Sequence, residues 1–170
     1  MIIEEIELKN FRALKKTKIA FSNPGEKNVT LVYGENGAGK TTLFYAINWC
    51  FYGKKYKNYE IIPRNIRMDG KYLKNELNDG EKTEVSIKIK FKHQNERYRL
   101  ERKFNVAKRN GSLVSENEEV TLDSFNTLGQ TKKYNMEEIP RIINSLIPVT
   151  TREYFFFDGE KIDRFSEVSN

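Results

Sequence analysis

A short glycine-rich segment carries the residue types that bind phosphate. Residues 34–41 read Gly-Glu-Asn-Gly-Ala-Gly-Lys-Thr, which is the spacing glycine, four residues, glycine, lysine, threonine. Glycines at these positions let backbone N–H groups turn inward around phosphate oxygens, while lysine and threonine supply an ammonium and a hydroxyl. We therefore predict a nucleoside triphosphate site that takes ATP with Mg²⁺. The alternative is a glycine-rich turn that matches the pattern by chance.

Each residue of this phosphate loop has a predicted role. Lys40 reaches the β- and γ-phosphates and is a catalytic candidate, and Thr41 gives its hydroxyl to Mg²⁺. The other residues predicted to bind the nucleotide supply backbone amides or a hydroxyl, and they are Gly34, Asn36, Gly37, Ala38, Gly39 and Thr42.

Such a loop is expected between a strand and a helix. Residues 29–33 read Val-Thr-Leu-Val-Tyr, a β-branched run that predicts a short buried strand. Apolar residues recur at helical spacing over residues 41–52, and Gly53 is a suitable C-terminal stop. The local context therefore agrees with the motif.

Periodic apolar residues predict the other elements. The hairpin formed by residues 85–91 and 98–104 has the clearest alternation. Residues 136–147 predict a helix ended by Pro148, and a weaker strand pairing is predicted around Gly111 between residues 113–114 and 120–122. Further strands are predicted at residues 2–8, 17–21 and 154–157, a turn at residues 22–28, and a mostly irregular excursion with one short helix at residues 54–80.

Hydrolysis of ATP needs an acid that orders magnesium and a group that positions the attacking water. Asp158 follows the apolar run of residues 154–157, as in a Walker B strand, but Gly159 rather than glutamate comes next. No Leu-Ser-Gly-Gly sequence occurs in the chain. One interpretation is a complete small NTPase that uses Asp158 as its Walker B acid; another is a nucleotide-sensing module that recruits a protein.

Taken together, these residues resemble the amino-terminal half of the SMC-like ATPases, a family that includes SbcC, RecN and RecF. The similar segments are Asn10-Phe11-Arg12, the run from Val32 to Leu43, and the hairpin that ends in Tyr98-Arg99-Leu100-Glu101-Arg102. Residues 155–162, Phe-Phe-Phe-Asp-Gly-Glu-Lys-Ile, are similar to the DndD branch, whose members are the ATPases of DNA phosphorothioate restriction systems.

The resemblance implies roles for two further residues. Asp158 stands where most relatives place the glutamine of the Q-loop, so it is expected to contact Mg²⁺ and the attacking water as a catalytic and metal-binding residue. Arg12 matches a basic residue that relatives use near the γ-phosphate. The alternative for Arg12 is a surface salt bridge with one of the early glutamates.

The resemblance also implies how the molecule is organised. We expect an α/β fold, the P-loop NTPase lobe of an ABC/SMC-type head with an antiparallel β-subdomain. In the family the signature sequence and catalytic glutamate lie beyond a coiled coil, so the implied partners are the C-terminal lobe, a second head across ATP, DNA, and other DNA repair or restriction proteins. Weak hydrolysis by this chain alone is expected.

The predicted divisions are a phosphate-loop core at 1–53, an insertion at 54–80, a β-subdomain at 81–130, and a helix with a Q-loop-like segment at 131–165.

Charge is concentrated in the predicted hairpin. Residues 82–109 contain ten basic and three acidic residues, against 30 and 24 in the whole chain. The side chains predicted to contact DNA phosphates lie on one side of the two strands and are Lys88, Lys90, Lys92, Arg97 and Arg99, with Lys103 beside them. The alternative is a solvated strand face whose lysines protect a sheet edge.

Composition predicts one domain whose core needs no disulfide. The single cysteine, Cys50, lies in an apolar stretch and is predicted to be a buried thiol. No secretory signal pattern and no bilayer-spanning apolar run occur in the 170 residues, so we expect a cytoplasmic protein without a membrane partner.

Overall fold

The computed structural model describes residues 1–21, 30–56, 59–60, 69–70 and 72–152. The strands in this part of the chain are β1 (Ile2–Phe11), β2 (Leu14–Ala20), β3 (Lys55–Tyr56), β4 (Tyr59–Glu60), β5 (Lys82–His93), β6 (Glu96–Arg109), β7 (Ser112–Phe125) and β8 (Thr131–Tyr134). The helices are α1 (Lys40–Tyr52), α2 (Leu73–Glu76) and α3 (Ile139–Leu146), followed by a 3₁₀ turn at Val149–Thr151.

A six-stranded antiparallel sheet in the order β2-β1-β5-β6-β7-β8 forms the framework. The predicted hairpin is confirmed as β5 and β6, and a tight turn with left-handed Asn110 and Gly111 joins β6 to β7. Strands β1 and β2, from the predicted phosphate-loop core, lie in the same sheet as the predicted β-subdomain. The division between these two segments stays a prediction.

The core lies between one face of the sheet and α1. Strand alternation places Val85, Ile87, Ile89 and Phe91 on that face, all fully buried. Helix α1 covers them with the residues Ala46, Trp49, Cys50 and Phe51, and α3 joins the same cluster through Ile139 and Ile143. The predicted burial of Cys50 is confirmed.

Helix boundaries follow simple end signals. Helix α1 runs from Lys40 to Tyr52, and the N–H of Gly53 closes its last turn on Trp49 O at 2.8 Å, with Gly53 at φ 71°. Helix α3 begins at Ile139 rather than residue 136, because Pro140 occupies the first turn, where its missing N–H costs nothing. The short helix predicted in the excursion is α2.

Two strand predictions were wrong in detail. Residues 30–33 form no strand and are exposed, with Leu31 at 81% and Tyr33 at 87% exposure. No strand in the described part of the chain lies beside them, so their backbone has no ladder to join. The weaker pairing predicted between residues 113–114 and 120–122 is instead a single strand, β7, which pairs along β6 through a bulge near Asn105.

Several predictions fall outside the described residues. They concern the turn at residues 22–28, Val29, the apolar run at 154–157 and Asp158. Among the helices that are described, none has the length and apolar character needed to cross a bilayer.

Candidate nucleotide-binding site

The phosphate loop adopts a backbone that only glycine accepts without strain at two positions. Gly37 has φ 87° and Gly39 has φ 104°, both in the region that L side chains disfavour. The N–H of Ala38 donates to Glu35 O at 3.1 Å and closes a turn between them. A Cβ on Gly34 would lie 3.2 Å from the Ala38 side chain. The glycine spacing therefore shapes a compact loop at the start of α1.

Backbone donors collect where this loop enters α1. The first helical hydrogen bond of the loop runs from Leu43 N to Gly39 O at 2.9 Å. Within the described residues, the N–H groups of Lys40, Thr41 and Thr42 have no backbone acceptor. No acidic residue lies in the first turn of the helix to compete for these donors. Unpaired donors at the positive end of a helix dipole are what a phosphate anion requires.

Lys40 adds a full positive charge to the same place. Its Nζ lies 2.5 Å from Gly34 O and 3.0 Å from Glu35 O, so the ammonium group sits over the loop rather than turning away into solvent. The side chain is exposed. A phosphate entering the loop would meet this ammonium and the helix N–H groups together.

The two threonines after Lys40 differ in exposure. Thr41 is exposed and its hydroxyl is accessible, whereas Thr42 is only 7% exposed. The assignments of Thr41 to Mg²⁺ and Thr42 to phosphate stay predictions. The described residues contain no group of three or more histidine, cysteine, aspartate or glutamate side chains placed to hold a metal.

The turn between β1 and β2 brings Arg12 beside α1. Arg12 has φ 52°, and its guanidinium carbon lies 5.9 Å from the centre of the Tyr45 ring. Its Nε is buried and has no hydrogen-bond partner in the described part of the chain. The same turn reaches the phosphate loop, since a Cβ on Gly39 would lie 3.4 Å from Leu14 Cδ2. Arg12 and Lys40 are therefore on neighbouring segments.

The salt-bridge alternative for Arg12 is not realised with the early glutamates. Their partners are other cations: Arg97 for Glu4, Lys18 and Lys90 for Glu5, Lys18 and Lys88 for Glu7.

The basic hairpin face is an array of ion pairs. Lys90 Nζ lies 2.7 Å from Glu5, and Lys88 lies between Glu7 at 3.9 Å and Glu101 at 3.6 Å. Arg99 binds Asp123 at 2.6 Å, and Arg97 contacts Glu4 at 3.1 Å. Lys92 is exposed at the end of the row. The cations do share one face, as predicted, but carboxylates on β1, β6 and β7 alternate with them.

Sequence patterns did not reveal the roles of two polar residues that support the site, the partly buried Arg102 and the buried Asn10. Arg102, on β6, bonds the last carbonyls of α1, and Asn10 bonds residues more than 70 positions away. Their partners depend on the register of β1, β5 and β6, so no local spacing predicts them. A signal for Asn10 did exist: asparagine is among the few residues that tolerate a left-handed turn.

Comparison with known proteins places this site in a family. A model of an AAA domain matches residues 5–170. The chain belongs to this AAA domain family. Its phosphate loop, Arg12 and Asp158 all lie within the matched range.

Curated relatives of this AAA domain include DNA repair proteins. The chain is 36% identical over 70 residues to the DNA double-strand break repair Rad50 ATPase of Methanococcus maripaludis, a match that covers 41% of this chain and 6% of the relative. It is 30% identical over 105 residues to the Rad50 ATPase of Archaeoglobus fulgidus, covering 62% and 10%. It is 36% identical over 100 residues to the DNA replication and repair protein RecF of Carboxydothermus hydrogenoformans, covering 54% and 26%. The chain thus spans about a quarter or less of these relatives.

A solved structure agrees with the fold. A chain from a study of ATP-driven dimerization and DNA-stimulated activation of SMC ATPases matches at a TM-score of 0.50 and 21% identity, covering 97% of this AAA domain and 90% of that chain. The predicted fold class, an α/β P-loop NTPase lobe, is confirmed.

Proposed function

We propose that this chain is the ATP-binding lobe of an SMC-like ATPase head. The observation that carries the proposal is the phosphate loop at the N-terminus of α1, with Lys40 Nζ over the loop and unpaired N–H groups beside it. The Rad50 and RecF relatives, and the SMC-type neighbour in fold, support the same assignment.

Within this lobe, each group acts on a different part of ATP. Lys40 and the N–H groups of the loop neutralise the β- and γ-phosphates, and Arg12 addresses the γ-phosphate side from the β1–β2 turn. Thr41 and Asp158 would hold Mg²⁺, which when bound supplies charge neutralisation on the phosphate oxygens. The chain's own contribution is therefore binding and orientation of the triphosphate.

The decisive test is Lys40→Ala. Among the described residues its ammonium bonds two loop carbonyls and no other group, so its loss should not unfold the domain. Removing one charge-assisted contact to phosphate should weaken ATP binding by about 2–3 kcal/mol or more, roughly a hundredfold. Isothermal calorimetry measures the affinity, with Lys133→Ala on β8 as the matched control. Unchanged affinity in K40A would refute the assignment.

We also propose that the chain alone hydrolyses ATP slowly. In this proposal the C-terminal lobe and a second head across ATP supply the signature sequence and catalytic glutamate, and ATP switches association of the heads. Phosphate release by the isolated chain should stay near background under multiple turnover. A rate comparable to an intact ATPase would favour the complete small NTPase that uses Asp158.

DNA is the proposed partner of the basic hairpin, through Lys88, Lys90, Lys92, Arg97 and Arg99. Its affinity should fall as salt rises, because released counterions drive binding to phosphates. Reversal of the three lysines to glutamate should weaken binding. Glu5→Gln plus Glu7→Gln, which removes the carboxylate beside Lys90 and one of the two beside Lys88, should strengthen it. If DNA affinity does not change with salt and is not reduced by the lysine reversal, the hairpin is excluded as the DNA-binding surface.

The finer proposal is a DndD-like role in phosphorothioate-dependent DNA restriction. It is supported by the sequence of residues 155–162. The test is a K40A allele in the host, which should lose restriction of unmodified plasmid DNA in a transformation assay. If restriction is undiminished, the DndD-like role is excluded, whereas the proposal that the chain binds ATP is unaffected.

A further inference from the structure

Asn10 is a buried amide at the end of β1, where the chain enters the β1–β2 turn. It is 7% exposed and has φ 56°, a left-handed conformation. Its Nδ2 donates to Thr83 Oγ1 at 3.2 Å and to Glu84 O at 2.9 Å, and its Oδ1 accepts from the Tyr72 hydroxyl at 2.7 Å. Both amide hydrogens and the carbonyl oxygen are therefore used, as burial of a primary amide demands.

These bonds tie the β1–β2 turn to two separate segments. Thr83 and Glu84 belong to β5, and Tyr72 precedes α2. Burial raises the pKa of Tyr72 to about 12, with Glu76 adding to the effect, so the hydroxyl stays a donor at neutral pH. A Cβ on Gly70 would lie 3.0 Å from Asn10 O, which shows how closely the segment before Tyr72 approaches the turn.

The residues that follow Asn10 lie on one face of α1. Phe11 is fully buried and stacks on Trp49 with ring centres 5.7 Å apart, and Arg12 lies over Tyr45. Tyr45 and Trp49 are four residues apart and so share a helix face. Since α1 begins at the phosphate loop, these contacts place Arg12 against the helix that follows the loop.

From these contacts we infer that Asn10 is a positioning residue for Arg12: its three hydrogen bonds fix the left-handed turn that presents the guanidinium to the γ-phosphate side of the nucleotide. The inference rests on the proposed function of Arg12. Without these hydrogen bonds the turn changes its backbone angles. The Arg12 side chain is then no longer held in one position. Because ADP has no γ-phosphate, only ATP affinity depends on this arrangement.

The test compares ATP and ADP affinities by calorimetry in the full chain. Asn10→Gly keeps the left-handed backbone and removes only the side-chain bonds. We expect N10G to weaken ATP binding roughly tenfold and to leave ADP binding within about twofold. Tyr72→Phe, which deletes one hydroxyl, should move the ratio in the same direction by less. Asn110→Gly, at φ 50° in an exposed hairpin turn, is the matched control and should change neither affinity.

Arg12→Ala tests the role of Arg12 separately from that of Asn10. If R12A lowers the preference for ATP and N10G lowers it too, with no further loss in the double variant, Asn10 acts through Arg12. If R12A lowers the preference but N10G and Y72F weaken ATP and ADP equally or not at all, the inference fails while the role of Arg12 survives. If R12A leaves the preference unchanged, both fail. Thermal melts confirm folding, and Y72F decides the matter if N10G does not fold.

Discussion

Several residues at the proposed nucleotide site matter for their backbone angles as well as for their side-chain chemistry. Gly37, Gly39, Asn10 and Arg12 all have positive φ, and all lie in the phosphate loop or the turn beside it. Positive φ at a non-glycine residue such as Arg12 costs free energy that the surrounding contacts must offset. Two of the five non-glycine residues with positive φ in the described part of the chain, Asn10 and Arg12, therefore lie beside the proposed nucleotide site.

Cys50 carries a thiol, a reactive group, but solvent does not reach it. It is fully buried, its Sγ lies 3.5 Å from Ile87 O, and burial raises the pKa of the thiol to about 12. We expect the native thiol to resist alkylation by iodoacetamide at neutral pH, because the thiolate is the nucleophile and is almost unpopulated. Mass spectrometry checks this. The same reaction in denaturant is the control, and rapid modification of the folded chain would contradict the burial.

At the scale of elements, helix α1 links the phosphate loop to the sheet. Its C-terminal carbonyls are bound by Arg102, whose Nε lies 3.1 Å from Cys50 O and whose Nη1 lies 2.7 Å from Glu118. A Cβ on Gly53 would lie 3.1 Å from this guanidinium. A cation at the C-terminal end of a helix is favourable because the carbonyl ends carry partial negative charge.

We expect Arg102→Ala to lower the free energy of unfolding by about 2 kcal/mol, because it removes the hydrogen bonds that Arg102 donates to the last carbonyls of α1. Urea denaturation monitored by circular dichroism measures the change. Arg109→Ala on the same strand is the matched control, because Arg109 is exposed and its ion pair with Glu116 should contribute about 1 kcal/mol or less. Equal losses in the two variants would show that the contact with α1 does not matter.

At the scale of the whole molecule, the outer face of the sheet is stabilised by alternating charges. Glu5 lies between Lys90 at 2.7 Å and Lys18 at 2.9 Å. The ammonium groups of Lys90 and then Lys18, paired with the carboxylate, lower the pKa of Glu5 from 4.5 to about 2. A carboxyl whose pKa is lower in the folded state stabilises the fold above its unfolded pKa and stops doing so as pH falls.

Stability should therefore fall as pH drops from about 4.5 towards 2. In Glu5→Gln this part of the pH dependence should be reduced, and the variant should be less stable than the parent at neutral pH. Urea unfolding at a series of pH values measures both effects. The control is Glu137→Gln at an exposed position, which should follow the parent curve. A parallel curve for E5Q would contradict the pairing.

Local patterns were enough to predict the phosphate loop, α1 and the β5–β6 hairpin. In each case the signal lies within a few residues: glycine spacing for the loop, apolar residues at helical spacing before Gly53, and strict alternation in the two strands. The run at residues 30–33 shows the limit of such patterns, since β-branched residues form a strand only where a neighbouring strand supplies hydrogen-bond partners.

Tertiary structure alone decided which distant residues meet at the site. Asn10 and Thr83 are 73 positions apart, and Arg102 and Cys50 are 52 apart, so their contacts depend on β1 pairing with β5 and on β6 facing α1. A shift of one residue in either register would turn these side chains to the other face. By itself, the sequence determined the chemistry of the phosphate loop and the helix behind it; the packing of the sheet decided where Arg12 stands and which residues position it.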